Sequence, residues 1–150
     1  MINYMKLQKR KNIRLKEYDY AQKGWYFITI CTKDMNYYFG EIVDNKVILN
    51  DKGMLIKSII DDYNSISDDV KNEYYQIMPN HLHIIIRVIA NDKHTIGSIV
   101  SGLKSKCTRE LNIKGLWQRN YYERVIRDQK EYDNIVKYIK ENPFRDKYTW

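Results

Sequence analysis

Apolar residues repeat with two different periods along this chain, and the shorter period marks the strands. Runs rich in β-branched, aromatic and aliphatic residues predict four strands, at residues 25–32, 46–49, 73–78 and 81–88. A fifth strand or extended segment is predicted after Gly115, over residues 116–127. The two-residue break Pro79-Asn80 indicates a hairpin or a bulged turn between two of these strands.

Three other segments carry apolar residues at helical spacing. They predict helices from 51 to about 65–69, over 96–111, and from about 128 to 142. Asp51 and Thr95 can cap the first two of these helices. The third should end at Asn142, because Pro143 disfavours the helical conformation of the residue before it.

The predicted order of elements is β-β-α-β-β-α-β-α, which indicates an α+β fold. Few strands with interleaved helices suggest an antiparallel sheet of four to five strands with the helices on one face. A length of 150 residues suits one domain with a substantial core. We therefore predict a single domain over residues 1–150, with a basic N-terminal arm at 1–17 and a short C-terminal tail at 143–150.

The charge balance favours a polyanionic partner. The net charge is +7, while 43% of the residues are hydrophobic and 30% charged, as in a folded globular protein. Nucleic acid is the first expected partner and an anionic membrane surface the second. Candidate phosphate contacts lie in the basic arm, on the second helix and after it: Lys9, Arg10, Lys11, Arg14, Lys104, Lys106, Arg109 and Arg119. A solvated tail and a solvated helix face explain these residues equally well.

The sequence predicts a cytoplasmic, nucleoid-associated location. No apolar run approaches the roughly 20 residues of a membrane span, and the first residues lack the apolar stretch of a secretory signal. Cys31 and Cys107 are far apart and lie in apolar-periodic segments, so we expect reduced, buried thiols. The 14 tyrosines are compatible with base stacking, although packing in the core explains most of them.

The chemistry is predicted to centre on His81 and His83. Alternate residues of a strand point to the same face, so the two imidazoles should stand side by side while Leu82 points into a core. Two such imidazoles can hold a metal ion. On this stretch alone, an ordinary pair on the strand surface is the simpler interpretation.

Two polar residues of the last helix can complete such a site. Tyr138 and Asn142 are four residues apart and share a helix face, to one side of the apolar stripe. Asn142 could supply an amide oxygen to a metal held by His81 and His83, and Tyr138 could attack a phosphate, forming a 5′-phosphotyrosine. The alternatives are a tyrosine at the rim of the core and an asparagine that only ends the helix.

The chain resembles the single-tyrosine HUH transposases, and among them the REP-associated tyrosine transposases. The resemblance rests on His81-Leu82-His83 within Met-Pro-Asn-His-Leu-His, and on the segment from Tyr138 to Pro143. It extends in order along nearly the whole chain, through the blocks 13–15, 18–20, 24–32, 39–42 and 117–122. Many relatives carry histidine where this chain has Arg124, and the insertion-sequence branch carries glutamine where it has Asn142.

The resemblance implies a ferredoxin-like sheet whose central strand carries His81 and His83. It implies single-stranded DNA with hairpins as substrate, Mg²⁺ or Mn²⁺ as the metal and no other cofactor. Tyr138 would be the nucleophile, with His81, His83 and Asn142 as metal ligands. The tyrosine helix can dock on its own chain or on a partner, so either a monomer or a homodimer is compatible with the sequence.

Three functions remain open at this point. The leading hypothesis is a metal-dependent single-stranded DNA nuclease and strand transferase. A binding module for DNA or RNA hairpins is the alternative, because a basic sheet rich in aromatic residues can stack bases without catalysis. A metal-dependent hydrolase without a covalent intermediate fits least well, since the sequence shows no clear carboxylate cluster.

Overall fold

The computed structural model describes residues 23–63, 68–89 and 95–149, with side chains described as far as Glu141. The strands are β1 Gly24–Cys31, β2 Gly40–Val43, β3 Lys46–Leu49, β4 Val70–Met78, β5 His81–Val88 and β6 Tyr122–Ile126. The helices are α1 Asp51–Tyr63, α2 Ile96–Leu111 and α3 Gln129–Thr149. No helix in these ranges is both long enough and apolar enough to cross a membrane.

Four strands form one antiparallel sheet in the order β4-β5-β1-β6. This arrangement confirms the predicted α+β class and places β5, which carries both histidines, in the interior of the sheet. The strands β2 and β3 form a separate hairpin. Its turn residues Asp44 and Asn45 have φ values of 52° and 63°, as the tight turn of a two-residue hairpin requires. The sequence analysis missed β2, which has only four residues and alternates between half-buried and exposed positions.

Side chains on the two faces of the sheet form two separate hydrophobic clusters. The larger cluster packs Leu82, Ile84 and Ile86 of β5 against α1 and α2. The smaller cluster packs Ile85 and residues of β1 and β6 against α3. The prediction that all helices lie on one face is therefore wrong. A strand with apolar residues at almost every position, such as β5, is typical of a strand covered on both faces.

The cap predicted for α2 is confirmed in detail. The Thr95 hydroxyl accepts a hydrogen bond from the Ser98 N–H at 3.1 Å, and the Ser98 hydroxyl accepts one from the Thr95 N–H at 3.2 Å. This reciprocal pair satisfies two backbone donors that the first turn of a helix leaves open. At the other end, Asn112 adopts the left-handed conformation at φ 55° and ends the helix. Cys31 and Cys107 are buried, and neither forms a disulfide within the described residues.

The predicted end of the last helix is wrong. The helix α3 continues through Pro143 to Thr149, so residues 143–149 are helical and do not form an irregular tail. A proline only disfavours the helical conformation of the preceding residue, and its missing N–H removes one backbone hydrogen bond. The seven residues after Asn142 can therefore continue the helix.

Polar contacts fasten the first turns of α3 to the sheet. The Tyr132 hydroxyl donates a hydrogen bond of 3.0 Å to Glu73, which lies at a register shift in β4. The Tyr132 ring also packs on Trp25 with a centroid distance of 5.2 Å. On the other side, the Arg124 guanidinium donates to Glu131 at 3.3 Å. Arg124 thus ties β6 to α3.

Replacing Tyr132 with phenylalanine should make the stability of the domain less sensitive to alkaline pH. Burial, with help from the Glu73 carboxylate, raises the pKa of Tyr132 to about 12. Because the pKa is raised in the folded state, the stabilisation is complete below about pH 10 and is lost as the pH rises through about 12. Urea unfolding should show Tyr132→Phe less stable by roughly 1 kcal/mol at pH 8, with a smaller difference at pH 11.

The matched control for this experiment is Tyr37→Phe. Tyr37 is 55% exposed, so this substitution should change stability little at either pH. A stability difference between Tyr132→Phe and the parent protein that stays constant from pH 8 to pH 11 would contradict the role given to the Glu73 contact.

Candidate active site

The two histidines are completely buried in the interior strand. His81 and His83 each have 0% exposure, and they point to the face of the sheet that α3 covers. Their partners on β1 are Cys31 and Thr29 respectively. Leu82 points the other way, into the larger cluster, as predicted. The interpretation of an ordinary pair on the strand surface is therefore wrong.

Hydrogen bonds hold the Nδ1 side of both rings. His81 Nδ1 lies 2.7 Å from the side-chain oxygen of Asn80, which can only accept, so His81 carries its proton on Nδ1. His83 Nδ1 lies 2.9 Å from the Thr29 hydroxyl, which can donate or accept and therefore suits either tautomer. These contacts orient both rings with Nε2 toward the same point.

The separation of the two Nε2 atoms fits joint coordination of one metal ion. They lie 3.2 Å apart. Two metal–nitrogen bonds of about 2.0–2.1 Å at a tetrahedral angle place the nitrogens about 3.3 Å apart, and at a right angle about 2.9 Å. Nδ1–H donation by each ring leaves its Nε2 lone pair for the metal. Both the donor types and their spacing therefore fit the metal site that the sequence predicts.

Tyr138 comes from α3 of the same chain and packs directly on the histidine pair. Its ring centroid lies 5.9 Å from that of His83, with the rings at 70° to each other. The residue is only 3% exposed and belongs to the smaller cluster with Ile135 and Ile139. It lies deeper than the flank position expected from helical periodicity. The structure thus brings His81, His83 and Tyr138 together within one protomer.

The third protein ligand is the least defined part of the site. Asn142 lies in α3, one helical turn beyond Tyr138, but its side chain is outside the described part of the chain. Within the described residues, no third histidine, cysteine or carboxylate joins the pair. Gln76, however, is the partner of His83 on β4. Its side chain therefore leaves the strand on the same face as the imidazole, and its amide nitrogen donates to the Ile77 carbonyl oxygen at 3.4 Å.

The sequence analysis missed Gln76, although a signal for it exists. A two-residue connection at Pro79-Asn80 pairs Met78 with His81, and the same register pairs Gln76 with His83. Because register in a tight hairpin follows from the turn, the position of this amide could have been predicted. The position of Gln76 was not predicted, because the sequence left open whether Pro79-Asn80 forms a hairpin or a bulged turn.

The residues predicted to contact phosphate lie in different parts of the chain, and the structure describes only some of them. Residues Lys9, Arg10, Lys11 and Arg14 lie outside the described residues. Arg109 and Arg119 line one groove together with Lys104, between α2 and the segment that precedes β6. Lys106 is not among the residues that line this groove. Contact with DNA stays a prediction for all of them.

Removing the Thr29 hydroxyl should weaken metal binding without disturbing the fold. Thr29→Val keeps the shape of the side chain but takes away the partner of His83 Nδ1. Loss of such a partner typically costs 10- to 100-fold in metal affinity. Titration with Mn²⁺ followed by electron paramagnetic resonance measures the affinity directly. Thr29→Ser retains the hydroxyl and should bind nearly as well as the parent, whereas equal loss in both variants would contradict this role.

Curated proteins similar to this chain come from two bacteria. An uncharacterized protein of Haemophilus influenzae is 39% identical over an alignment of 158 positions, which covers 89% of this chain and 88% of that protein. A second Haemophilus influenzae protein, provisionally named a REP-associated tyrosine transposase, is 27% identical across 87% of this chain and 76% of its own length. The REP-associated tyrosine transposase of Escherichia coli K12 is 31% identical over 74 residues, 49% of this chain and 43% of that protein. No family model matches the chain.

A solved structure shares the fold. It is the structure of a REP-associated tyrosine transposase bound to a REP hairpin, with a TM-score of 0.68 at 19% identity over 89% of this chain and 74% of that one. In this fold the helix that carries Tyr138 packs on the strand that carries His81 and His83. The chain is thus similar in sequence to REP-associated tyrosine transposases and shares the fold of one of them, as its resemblance to them predicts.

Proposed function

We propose that this protein cleaves and rejoins single-stranded DNA at hairpin-associated sites through a covalent intermediate on Tyr138. The observation that carries the proposal is the contact between the Tyr138 ring and the His83 ring in one chain. A tyrosine that served only the core would have no need of a buried, hydrogen-bonded histidine pair beside it. The hairpin in the complex of the related transposase and the net charge of +7 support DNA as the substrate.

His81 and His83 would hold a divalent metal ion, Mg²⁺ or Mn²⁺, through their Nε2 atoms. When bound, the ion would polarise the scissile phosphate and offset the charge that develops on it. The Gln76 amide oxygen and the Asn142 amide oxygen are the candidates for a further protein ligand. Asn80 and Thr29 would keep the two imidazoles oriented by accepting their Nδ1 protons.

The proposed reaction exchanges one phosphate ester for another. The Tyr138 oxygen attacks phosphorus, forming the bond between the phenolic oxygen and phosphorus, while the bond from phosphorus to the 3′ oxygen breaks roughly in line. The phenolic proton passes to water and the leaving 3′ oxygen gains one, giving a free 3′-OH and a 5′-phosphotyrosine. Attack by a second 3′-OH on this ester restores Tyr138 and joins two DNA strands, so no external energy source is needed.

The proposal is tested by trapping the intermediate. The protein is incubated with single-stranded DNA that carries a hairpin and a 3′-side fluorophore, with Mn²⁺, and then run on a denaturing gel. A labelled band at the mass of protein plus DNA is expected, and EDTA should prevent it. Free cleavage products without any adduct would favour a hydrolase. Tight hairpin binding with neither adduct nor cleavage would favour the alternative, a hairpin-binding module.

A further inference from the structure

A basic groove lies beside α2, away from the tyrosine helix. It has a volume of about 470 Å³, and its walls are α2 and the segment 115–119. From its charges and its position we infer that this groove grips the phosphodiester backbone of the nucleic acid that reaches the histidine pair. The inference rests on the proposed function. It assigns DNA contact to Arg109 and Arg119 and a structural role to Lys104.

Lys104 stabilises the walls of the groove by hydrogen bonds. Its ammonium group donates hydrogen bonds to the carbonyl oxygens of Gln118 at 2.8 Å and Arg119 at 3.3 Å. Burial lowers the pKa of Lys104, as expected for an ammonium group partly removed from water. The Trp117 indole adds a hydrogen bond of 3.3 Å to the Lys104 carbonyl oxygen. These contacts fasten the segment 115–119 to α2, so Lys104 has a structural role.

The free cations of the groove are arginines. Arg109 and Arg119 are both exposed, and neither forms an ion pair with another described residue. No acidic side chain is among the described residues that line the groove. Lys33 adds a further positive charge, since its Nζ would lie 3.9 Å from a Cβ placed at Gly115. Guanidinium groups that are not neutralised by carboxylates suit phosphate oxygens, which they can contact in bidentate geometry.

The groove lies on the α2 side of the sheet, whereas the imidazoles of His81 and His83 point to the α3 side, but its end is joined to the strand next to the histidine strand. The Gln118 N–H donates to the Cys31 carbonyl oxygen at 2.8 Å, and Cys31 is the partner of His81 on the neighbouring strand. Neighbouring strands are about 4.8 Å apart, so the segment that ends the groove lies about 10 Å from the β5 backbone.

The salt dependence of DNA affinity tests the inference. A fluorescent hairpin DNA with a single-stranded extension is titrated with protein in EDTA, at 50–200 mM KCl, so that cleavage plays no part. Each phosphate contact contributes about 0.7–0.9 to the slope of log affinity against log salt concentration. The double variant Arg109→Ala/Arg119→Ala should therefore lower this slope by about 1.4–1.8 and weaken binding at 50 mM salt at least tenfold.

Two further double variants serve as controls. Lys52→Ala/Lys57→Ala removes the same net charge from the exposed side of α1 and should change affinity less than twofold. Arg109→Lys/Arg119→Lys keeps the charge and should restore the slope, which also shows that the alanine variant has not merely lost its fold. Equal losses in the α1 and groove variants would overturn the inference.

Two more outcomes separate this inference from its alternatives. If the groove variant loses affinity for vesicles of anionic phosphatidylserine but keeps its affinity for the hairpin, the groove binds membranes and the inference is wrong. If the expected loss of salt dependence occurs but the parent protein forms no covalent adduct with Mn²⁺, the groove assignment stands and the proposed function fails.

Discussion

Replacing Tyr138 with phenylalanine should abolish the covalent protein–DNA adduct completely. The substitution removes only the phenolic oxygen that would attack phosphorus, while the ring that packs on His83 and in the smaller cluster remains. The folded structure and the affinity for hairpin DNA should therefore change little. The denaturing gel described above measures the adduct, and circular dichroism with anisotropy titration checks fold and binding.

Tyr132→Phe is the matched control for the loss of a hydroxyl from α3. Tyr132 also lies on α3 and bonds to Glu73, but it lies near the start of the helix and does not contact the histidine pair in the described structure. This variant should still form the adduct. A strong adduct from the Tyr138→Phe protein would show that another residue is the nucleophile.

A mixing experiment decides whether Tyr138 acts within its own chain. Tyr138→Phe supplies an intact histidine pair and His83→Ala supplies an intact tyrosine. Because the structure places Tyr138 against His83 of the same protomer, the mixture should be as inactive as each variant alone. Recovery of adduct on mixing would mean that the helix is exchanged between two protomers during the reaction.

The second large effect is expected from His83→Ala. The variant should lose Mn²⁺ affinity, and the rate of adduct formation should fall on the order of 10²–10³-fold, as when one electrostatic contact to a transition state is removed. Affinity for hairpin DNA should largely persist, because phosphate contacts supply most of it. Quench-flow or manual sampling of adduct formation gives the rate, and electron paramagnetic resonance gives the affinity for Mn²⁺.

Ile85→Val provides the control for disturbed packing at the same strand. Ile85 is fully buried two residues beyond His83 on the same face, and the substitution typically costs about 0.5–1.5 kcal/mol of stability. It should leave metal affinity and the adduct rate almost unchanged. A similar loss in both variants would mean that packing around the strand, and not metal binding by His83, supports activity.

Patterns local to one segment were enough to predict most of the fold. The α2 helix and its cap at Thr95 follow from periodicity and from one residue with the right side chain. The strand β5 follows from an uninterrupted apolar run. The short strand β2 and the continuation of α3 through Pro143 were missed, because a local propensity is weak where contacts from elsewhere in the chain decide the outcome.

Three residues of the predicted site, His81, His83 and Tyr138, lie together in the structure, but their environment was not predicted. The spacing of His81 and His83 indicated a shared face, and a resemblance was needed to add Tyr138. No local pattern indicated that α3 covers that face of the sheet and buries His81 and His83 completely. The partners Thr29 and Asn80 and the neighbour Gln76 depend on strand register, which links residues far apart in sequence.

The unequal size of the two hydrophobic clusters has a consequence for turnover. Opening free energies differ across a protein, and a region with fewer buried apolar contacts opens first. The larger cluster joins the sheet to α1 and α2, so we expect α3, which covers the smaller cluster, to open before the rest of the domain. Since Tyr138 is 3% exposed with α3 in place, the proposed attack on a phosphate would require α3 to move. The free energy of binding a correct hairpin would then drive the movement of α3 that exposes Tyr138 for cleavage.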